Sequence, residues 1–324
     1  MNILILSCGT RNKIVEYFKR ELLENGGKVY GTDSNFLAPA LYMCDDYFIV
    51  PPFTSEVYLK EILKICQDND IHAIFSLIDT EIEILSKNRR LFEDNNITVF
   101  APSYDMAQMC LNKEMMYNQL LELGINTPKS YFNYDNFLFA YQKGEVSLPV
   151  FVKPICGSAS IGVGLIHSIE HLEILFKTSE TPLMIQENMN GKEYGIDCYI
   201  DIFTGEVIDI FVKEKLRMRA GETDKSKSIH IQQAKEMIEK FVANSPGLAG
   251  PNDFDLFEKD GEFYLSEVNP RFGGGYPHAY ESGVNFTKYL IENSLGKRLE
   301  KQDIFYYKED IYMMKYSEQI LIEK

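Results

Sequence analysis

The sequence predicts an α/β protein in which a parallel sheet flanked by helices is followed by largely antiparallel sheet. Short apolar runs alternate with helical patterns through the first hundred residues, the order of strands joined by helical crossovers. Beyond residue 190 apolar strand patterns dominate, and Asp260-Gly261 marks a hairpin turn between the last two. At 324 residues the chain is too long for one small core and suits two or three subdomains around a cleft.

Taken in order, residues 3–6 read as a strand, 12–24 as an amphipathic helix and 29–32 as a second strand ending at Asp33. A helix at 57–67, a strand at 73–76, a helix at 81–88 and a strand at 98–101 complete the alternation. In such sheets ligands sit beyond the carboxyl ends of the strands, which singles out the loops 7–13, 33–35 and 77–81. A nicotinamide site is not expected there, because SCGTRN offers one glycine where GxGxxG needs three. Residues 109–124 read as one helix closed by Gly124, with Thr127-Pro128 as its stop. Strands follow at 150–153 and 162–167, a helix at 169–177 and a strand at 183–187. Residues 194–201, 207–213, 254–258 and 262–268 read as a second, largely antiparallel sheet. His167 and His171 have nothing nearby to complete a metal site and read as ordinary residues of a helix start. The segment 310–323 alternates poorly, and its role stays open.

Composition narrows the function. Lys and Arg total 33 against 48 Asp and Glu, a net charge of −15. So acidic a chain is a poor partner for nucleic acid or anionic lipid, and a polyanion would need a local basic pocket. Six scattered cysteines form no CxxC pair, which speaks against a zinc knuckle or redox dithiol and for a reducing compartment. No apolar run approaches a membrane span, and the opening strand is too short for a signal-peptide core. A cytoplasmic protein is expected.

Three segments carry chemistry. In FVKPICGSASIGVGLI a strand delivers Lys153 and breaks into a loop of small residues from Gly157 to Gly164. Glycines let backbone N–H groups approach a polyphosphate, and the lysine adds a point charge; a plain flexible hairpin is the alternative. In FDLFEKDGEFYLSEVNPRFGGG, Gly261 lies midway between Asp255 and Glu267, setting them opposite one another, while Glu267 and Asn269 share a face. Two carboxylates and an amide oxygen there make a hard oxygen site for Mg2+, and Arg271 falls on the same side. A solvated strand face is the bland reading of those charges. In LMIQENMNGKEYGIDCYID a buried strand ends at Gln186-Glu187 and an irregular segment leaves backbone groups free to read a purine edge, with Glu193 beyond.

Together and in this order, the three segments resemble the ATP-grasp superfamily over most of the chain. The resemblance implies an N-terminal Rossmann-like domain over 1–108, then an ATP-grasp fold over 109–324. Its two α+β subdomains, a lid at about 127–185 and a C-terminal part at about 186–324, would grip ATP. NKEMMYNQLLELGINTPKS resembles the family's lead-in, with Lys113 and Lys153 implied at the nucleotide phosphates and Gly157, Ser158, Ala159 and Ser160 in the covering loop. Gln186, Glu187 and Met189 fall where the family reads adenine, and Glu193 where it holds ribose. Asp255, Glu267 and Asn269 match the magnesium ligands, with Asp253 a rival for the first; Mn2+ is a substitute cation. Arg271 matches the phosphate-facing arginine, and Lys215, in a basic loop over 213–227, a residue near the γ-phosphate and acceptor.

NPRFGGGYPHAYESGVN resembles the segment of single-copy proteins similar to the carbamoyl phosphate synthase large subunit, which itself carries two such units in tandem where this chain has one. The implied reaction joins a small carboxylate to an amine through an acyl phosphate, releasing ADP and phosphate. The alternatives are a bicarbonate-using, carboxyphosphate-forming enzyme and a non-catalytic ATP-binding module. Asp79, Glu81, Tyr276, His278 and Glu281 are candidate acceptor determinants, neither nucleic acid nor membrane is expected as a partner, and a homodimer stays open.

Overall fold

The computed structural model describes residues 1–23, 26–157, 164–303 and 305–323. Among these residues the strands form three sheets. The first is parallel throughout, in the order β3-β2-β1-β4-β5, from β1 (Asn2–Leu6), β2 (Lys28–Asp33), β3 (Asp46–Ile49), β4 (Ile71–Ser76) and β5 (Thr98–Phe100). Its centre is apolar on both faces because both are covered: Ile3 and Ile5 enter one core cluster, Leu4 and Leu6 another, and all four are fully buried. Helices α1 (Asn12–Leu23), α2 (Tyr58–Asp68), α3 (Asp79–Lys87) and α4 (Arg89–Glu93) lie between the strands. The edge strand β3 and the short α4 escaped the sequence reading; β3 is short and mostly exposed although Tyr47, Phe48 and Ile49 are apolar.

The expected single helix over 109–124 is two helices, α5 (Tyr104–Leu111) and α6 (Lys113–Glu122). They break at Asn112, whose backbone is extended (φ −103°, ψ 108°) and whose side chain accepts from the N–H groups of Glu114 and Met115. Its backbone bridges to Cys156, and the Lys113 N–H donates to the Ile155 carbonyl at 3.0 Å. The break therefore docks the start of α6 onto the next sheet. That sheet is antiparallel, in the order β6-β9-β7-β8, from β6 (Ser130–Tyr131), β7 (Val150–Pro154), β8 (Gly164–Ile166) and β9 (Leu183–Glu187). Helices α7 (Tyr134–Gln142) and α8 (Ile169–Thr178) accompany it.

The third sheet is antiparallel, in the order β14-β13-β10-β11-β12-β15. It comprises β10 (Lys192–Ile200), β11 (Val207–Arg219), β12 (Glu222–Ser228), β13 (Gly250–Lys259), β14 (Glu262–Asn269) and β15 (Tyr312–Met314). The supposed basic loop over 213–227 is thus a β-hairpin turning at Ala220-Gly221, and the open C-terminal segment supplies an edge strand. Helices α9 (Gln232–Ala243), α10 (Tyr276–Glu281) and α11 (Phe286–Ser294) pack around it. One core cluster runs from β1 and α1 through Tyr199, Phe211 and Tyr276, so the first and third sheets share apolar packing. No helix among the described residues is long and apolar enough to cross a membrane.

The break at Asn112 makes a clean test. Asn112→Ala should lower stability by about 1 kcal/mol in denaturant unfolding, because it removes an N-cap. A continuous helix would instead gain from alanine, so a rise in stability would contradict the two-helix arrangement.

Candidate active site

A cavity of about 740 Å³ is lined by the second and third sheets, by Lys113 of α6 and by Arg11 of the loop after β1. Its chemistry begins at a residue without a side chain. Gly195 on β10 faces Lys213 of β11 on one side and Asp255 of β13 on the other. A Cβ there would stand 3.1 Å from Cε of both Lys213 and Lys215, so the glycine leaves the path by which both side chains cross the strand. Lys215 donates to Glu193 at 2.8 Å and to Asp255, and its side chain is only 5% exposed. Burial alone would push this ammonium down, but Asp255 and Glu193 outweigh it and hold the pKa above the ordinary lysine value. Beneath, Lys213 pairs with Asp197, both buried, and burial pushes the Asp197 carboxyl up against the pull of that lysine.

The hairpin of β13 and β14 sets the oxygen donors. Its two-residue turn, Asp260-Gly261, has both residues at positive φ and pairs Lys259 with Glu262, which carried on regularly would put Asp255 opposite Ser266. A bulge between Asp255 and Leu256 shifts the register by one, so that Asp255 faces Glu267 and Asp253 faces Asn269. The sequence forces it: Leu265 and Val268 are both fully buried, yet three residues apart they cannot share a face of a regular strand. Asp255, Glu267 and Asn269 line the cavity. No cluster of three His, Cys, Asp or Glu side chains suited to a metal occurs among the described residues. Two carboxylates with an amide oxygen fit a cation such as Mg2+, which draws its other ligands from water and phosphate.

Lysines face these donors. Lys113, at the start of α6, donates to the Gly157 carbonyl at 2.7 Å and lies 3.9 Å from Glu267. A lysine in a helix's first turn opposes the macrodipole, a local cost that suits a job in the cleft. Lys153 on β7 has no ion-pair partner among the described residues. Burial pushes its ammonium down, Glu267 pulls it up and Lys113 adds to the fall. Gln186, Glu187 and Met189 also line the cavity. The Gln186 amide donates to Ser130 at 3.1 Å, the Glu187 carboxylate accepts from the Lys129 N–H at 2.8 Å, and the Met189 carbonyl accepts from the Gly191 N–H at 2.8 Å.

Arginines occupy another part of the cleft. Arg271 grips Asp79 with two nitrogens, at 2.9 and 3.1 Å, and lies 4.0 Å from Asp253. Burial pushes the Asp253 carboxyl up to about 7, with the Asp255 charge adding to it. Arg11, from the loop after β1, pairs with Glu222 of β12 at 3.0 Å. The triple glycine is explained here, because each member backs onto a charged group. A Cβ would come within 2.5 Å of the Asp253 carboxylate at Gly273, 2.8 Å of the Arg11 guanidinium at Gly274, and 2.5 Å of Lys213 at Gly275.

Every site residue expected from the sequence that the structure describes lines this one cavity: Lys113, Lys153, Gly157, Gln186, Glu187, Met189, Glu193, Lys215, Asp255, Glu267, Asn269 and Arg271. Ser158, Ala159 and Ser160 lie outside the described residues. The acceptor candidates fare differently. Asp79 reaches the cleft through Arg271, but Glu81 is fully buried among the hydroxyls of Ser7, Tyr58 and Ser76. Tyr276 is buried and donates to the Val284 carbonyl, His278 is buried 2.8 Å from Ser226, and Glu281 sits outside near Arg20. The glycines turn the chain away, so α10 packs back against α1, with Tyr280 stacked on Tyr17 at 3.7 Å. Arg11 and Glu222 were missed. Arg11 lies in the loop 7–13 that the sequence singles out for ligands, though no single residue in it stands out, and Glu222 reads only as part of a basic loop.

Lys215 anchors three strands, so Lys215→Met should destabilise the ligand-free protein by about 3 kcal/mol, leaving Glu193 and Asp255 without their shared counter-ion. Denaturant unfolding measures it, and a loss below about 1 kcal/mol would mean that solvent screens the pair.

Comparison with known proteins agrees with this architecture. Residues 179–319 match the family described as "ATP-grasp in the biosynthetic pathway with Ter operon", and residues 3–100 match "PylC-like, N-terminal domain". The chain is 26% identical over 235 residues to the carbamoyl phosphate synthase large chain of Clostridium beijerinckii, covering 66% of this chain and 21% of that one. It thus spans about a fifth of the length of the curated relatives it matches first. Among solved structures it resembles the biotin carboxylase domain of Hydrogenobacter thermophilus 2-oxoglutarate carboxylase, a dimer in complex with MgADP, ADP and bicarbonate. That match has a TM-score of 0.75 at 16% identity and covers 96% of this chain and 73% of that one. An L-amino acid ligase from Bacillus licheniformis matches with a TM-score of 0.68 at 20% identity, covering 92% and 75%. A parallel-sheet domain and two antiparallel sheets closing on one cleft, with an ATP-grasp family model matching residues 179–319, give the chain the ATP-grasp fold.

Proposed function

We propose that the chain is an ATP- and magnesium-dependent ligase that phosphorylates a carboxylate and passes its acyl group to an amine. The observation that carries this reading is the convergence, in one cavity, of the oxygen donors Asp255, Glu267 and Asn269 with the ammonium groups of Lys113, Lys153 and Lys215. The similarity to ligases of this superfamily supports it.

In this reading a carboxylate oxygen attacks the γ-phosphorus and the bond to the β-phosphate oxygen breaks, so ADP leaves with the electron pair. The amine nitrogen then attacks the acyl carbon, the bond to phosphate breaks, and the amine loses a proton to solvent. Magnesium held by Asp255, Glu267 and Asn269 supplies charge neutralisation and a template for in-line transfer. Lys113 and Lys153 offset phosphate charge, and the partnerless Lys153 is the readier of the two. Gln186, Glu187 and Met189 form the adenine end, Glu193 serves the ribose, and Gly157 stands beside Lys113 at the phosphate end. Lys215 and Arg271 stabilise charge as it develops on the transferred group. Positioning and electrostatics suffice, and no covalent nucleophile is needed.

The carboxylate takes one of two forms. An organic acid makes the chain a carbon–nitrogen ligase. Bicarbonate, present in the complex of the carboxylase domain, would make it a carboxyphosphate-forming enzyme.

ATP-dependent phosphate release should be screened with amino acids, small carboxylates and bicarbonate, with ADP distinguished from AMP and the acyl phosphate trapped by hydroxylamine. The expected product is ADP, with turnover abolished in Glu267→Gln, which removes a charge at almost constant volume. Stoichiometric AMP, or near-normal activity of Glu267→Gln at limiting Mg2+, would overturn the proposal.

A further inference from the structure

We infer that Arg11 receives a carboxylate group of a substrate, and that Lys315, brought by the C-terminal strand β15, is the positioning residue that keeps Arg11 free to do so. The inference takes from the ligase reading only the expectation that a carboxylate-bearing substrate enters this cleft.

The two arginines of the cavity have different surroundings. Arg271 has two carboxylates: Asp79 pairs with it at 2.9 and 3.1 Å, Asp253 stands 4.0 Å away, and both hold its pKa up against burial. Arg11 has one ion-pair partner among the described residues, Glu222, and its side chain is 20% exposed. Burial pushes its guanidinium down, Glu222 pulls it up, and the like charge of Arg271 adds to the fall. Its one counter-ion is also shared. Glu222 offers Oε1 to Arg11 at 3.0 Å and Oε2 to Lys315 at 2.8 Å. A single carboxylate between two cations leaves the trio with one net positive charge, and Arg11 and Glu222 both line the cavity, with the Gly274 backbone packed close against them.

Lys315 is held in place by the backbone. Tyr307 is buried, accepting from the Val212 N–H at 2.9 Å and donating to the Ile229 carbonyl at 3.1 Å. The Ser228 N–H then donates to Ile311, and Tyr312, Met313 and Met314 pair with Lys227, Ser226 and Lys225. Finally the Lys315 N–H donates to the Asp224 carbonyl at 2.9 Å. This register sets the ammonium against Glu222. Without it, both carboxylate oxygens would be available to Arg11, and a bidentate pair would occupy the fork that a substrate carboxylate needs.

Acetate is the probe. At constant ionic strength it should shift the Nε–Hε NMR resonance of Arg11, identified by its loss in Arg11→Lys, in a saturable manner. Lys315→Met should weaken acetate binding about threefold to tenfold, the loss of one partly exposed charge interaction, and Lys315→Arg should restore it. Glu222→Gln removes the competing charge and should tighten acetate binding, a sign that a folding defect cannot produce. Affinity for MgATP should stay unchanged in the Lys315 variants. An absent or non-saturable shift in the wild type, unchanged acetate affinity in Lys315→Met, weaker acetate binding in Glu222→Gln, or equal loss of MgATP and acetate affinity in Lys315→Met would each overturn the inference. A wild type that binds acetate at Arg11 but not MgATP would sink the ligase reading and leave this site standing.

Discussion

Much of this cleft depends on Lys215 crossing a strand. Glu193, Lys215 and Asp255 come from β10, β11 and β13, and the ammonium reaches both carboxylates only because Gly195 puts nothing in its way. Charged groups buried without partners are costly, so most cations of the cleft stand in close pairs with anions, Lys153 being the exception among the described residues. Lys113 stands near Glu267, Arg271 is held by Asp79, and Glu222 is shared by Arg11 and Lys315. Such a site is balanced when empty and can exchange partners when a polyanion and a divalent cation arrive together. The proposed chemistry asks for that exchange.

The same pairs join parts of the chain that are far apart in sequence. Arg271 follows β14 and Asp79 opens α3 of the parallel sheet, so their bidentate contact ties the first sheet to the third across the cleft. Apolar packing fixes the same junction from below, where Tyr17 of α1 meets Tyr276 and Tyr280 of α10. The C-terminal strand adds a third tie at Glu222. Positions in the cleft are therefore set by rigid elements, as a site that works by electrostatic preorganisation requires.

Much of this was legible in the sequence, though one correct reading rested on a mistaken local reason. Counting from Gly261 placed Asp255 opposite Glu267, and so it lies, but only because the bulge offsets a two-residue turn that alone would have paired Asp255 with Ser266. Strands buried on both faces announced themselves, as Ile3 to Leu6 show, whereas the edge strands β3 and β15 are only four and three residues long and mostly exposed, too short for a pattern despite their apolar residues. The helix break at Asn112 was hidden because the apolar spacing continues across it, and the extended conformation is fixed by tertiary contacts with Ile155 and Cys156. The triple glycine was noticed, but its reason, room for Asp253, Arg11 and Lys213, lies in three other elements. Glu81 resembled a cleft residue by position on its strand's carboxyl end, and only the hydroxyls of Ser7, Tyr58 and Ser76 show that it faces inward.

Whether the paired charges are a nucleotide site in waiting is decided most directly by calorimetric titration of ATP with and without Mg2+. Free ATP should bind weakly, because its phosphates meet the carboxylates Asp255 and Glu267 as well as the lysines. Magnesium between those carboxylates and the phosphates should tighten binding by tenfold or more, at about 1.4 kcal/mol per factor of ten. Equal affinity in the presence and absence of Mg2+ would contradict the account, since Asp255, Glu267 and Asn269 would then have no part in holding the nucleotide.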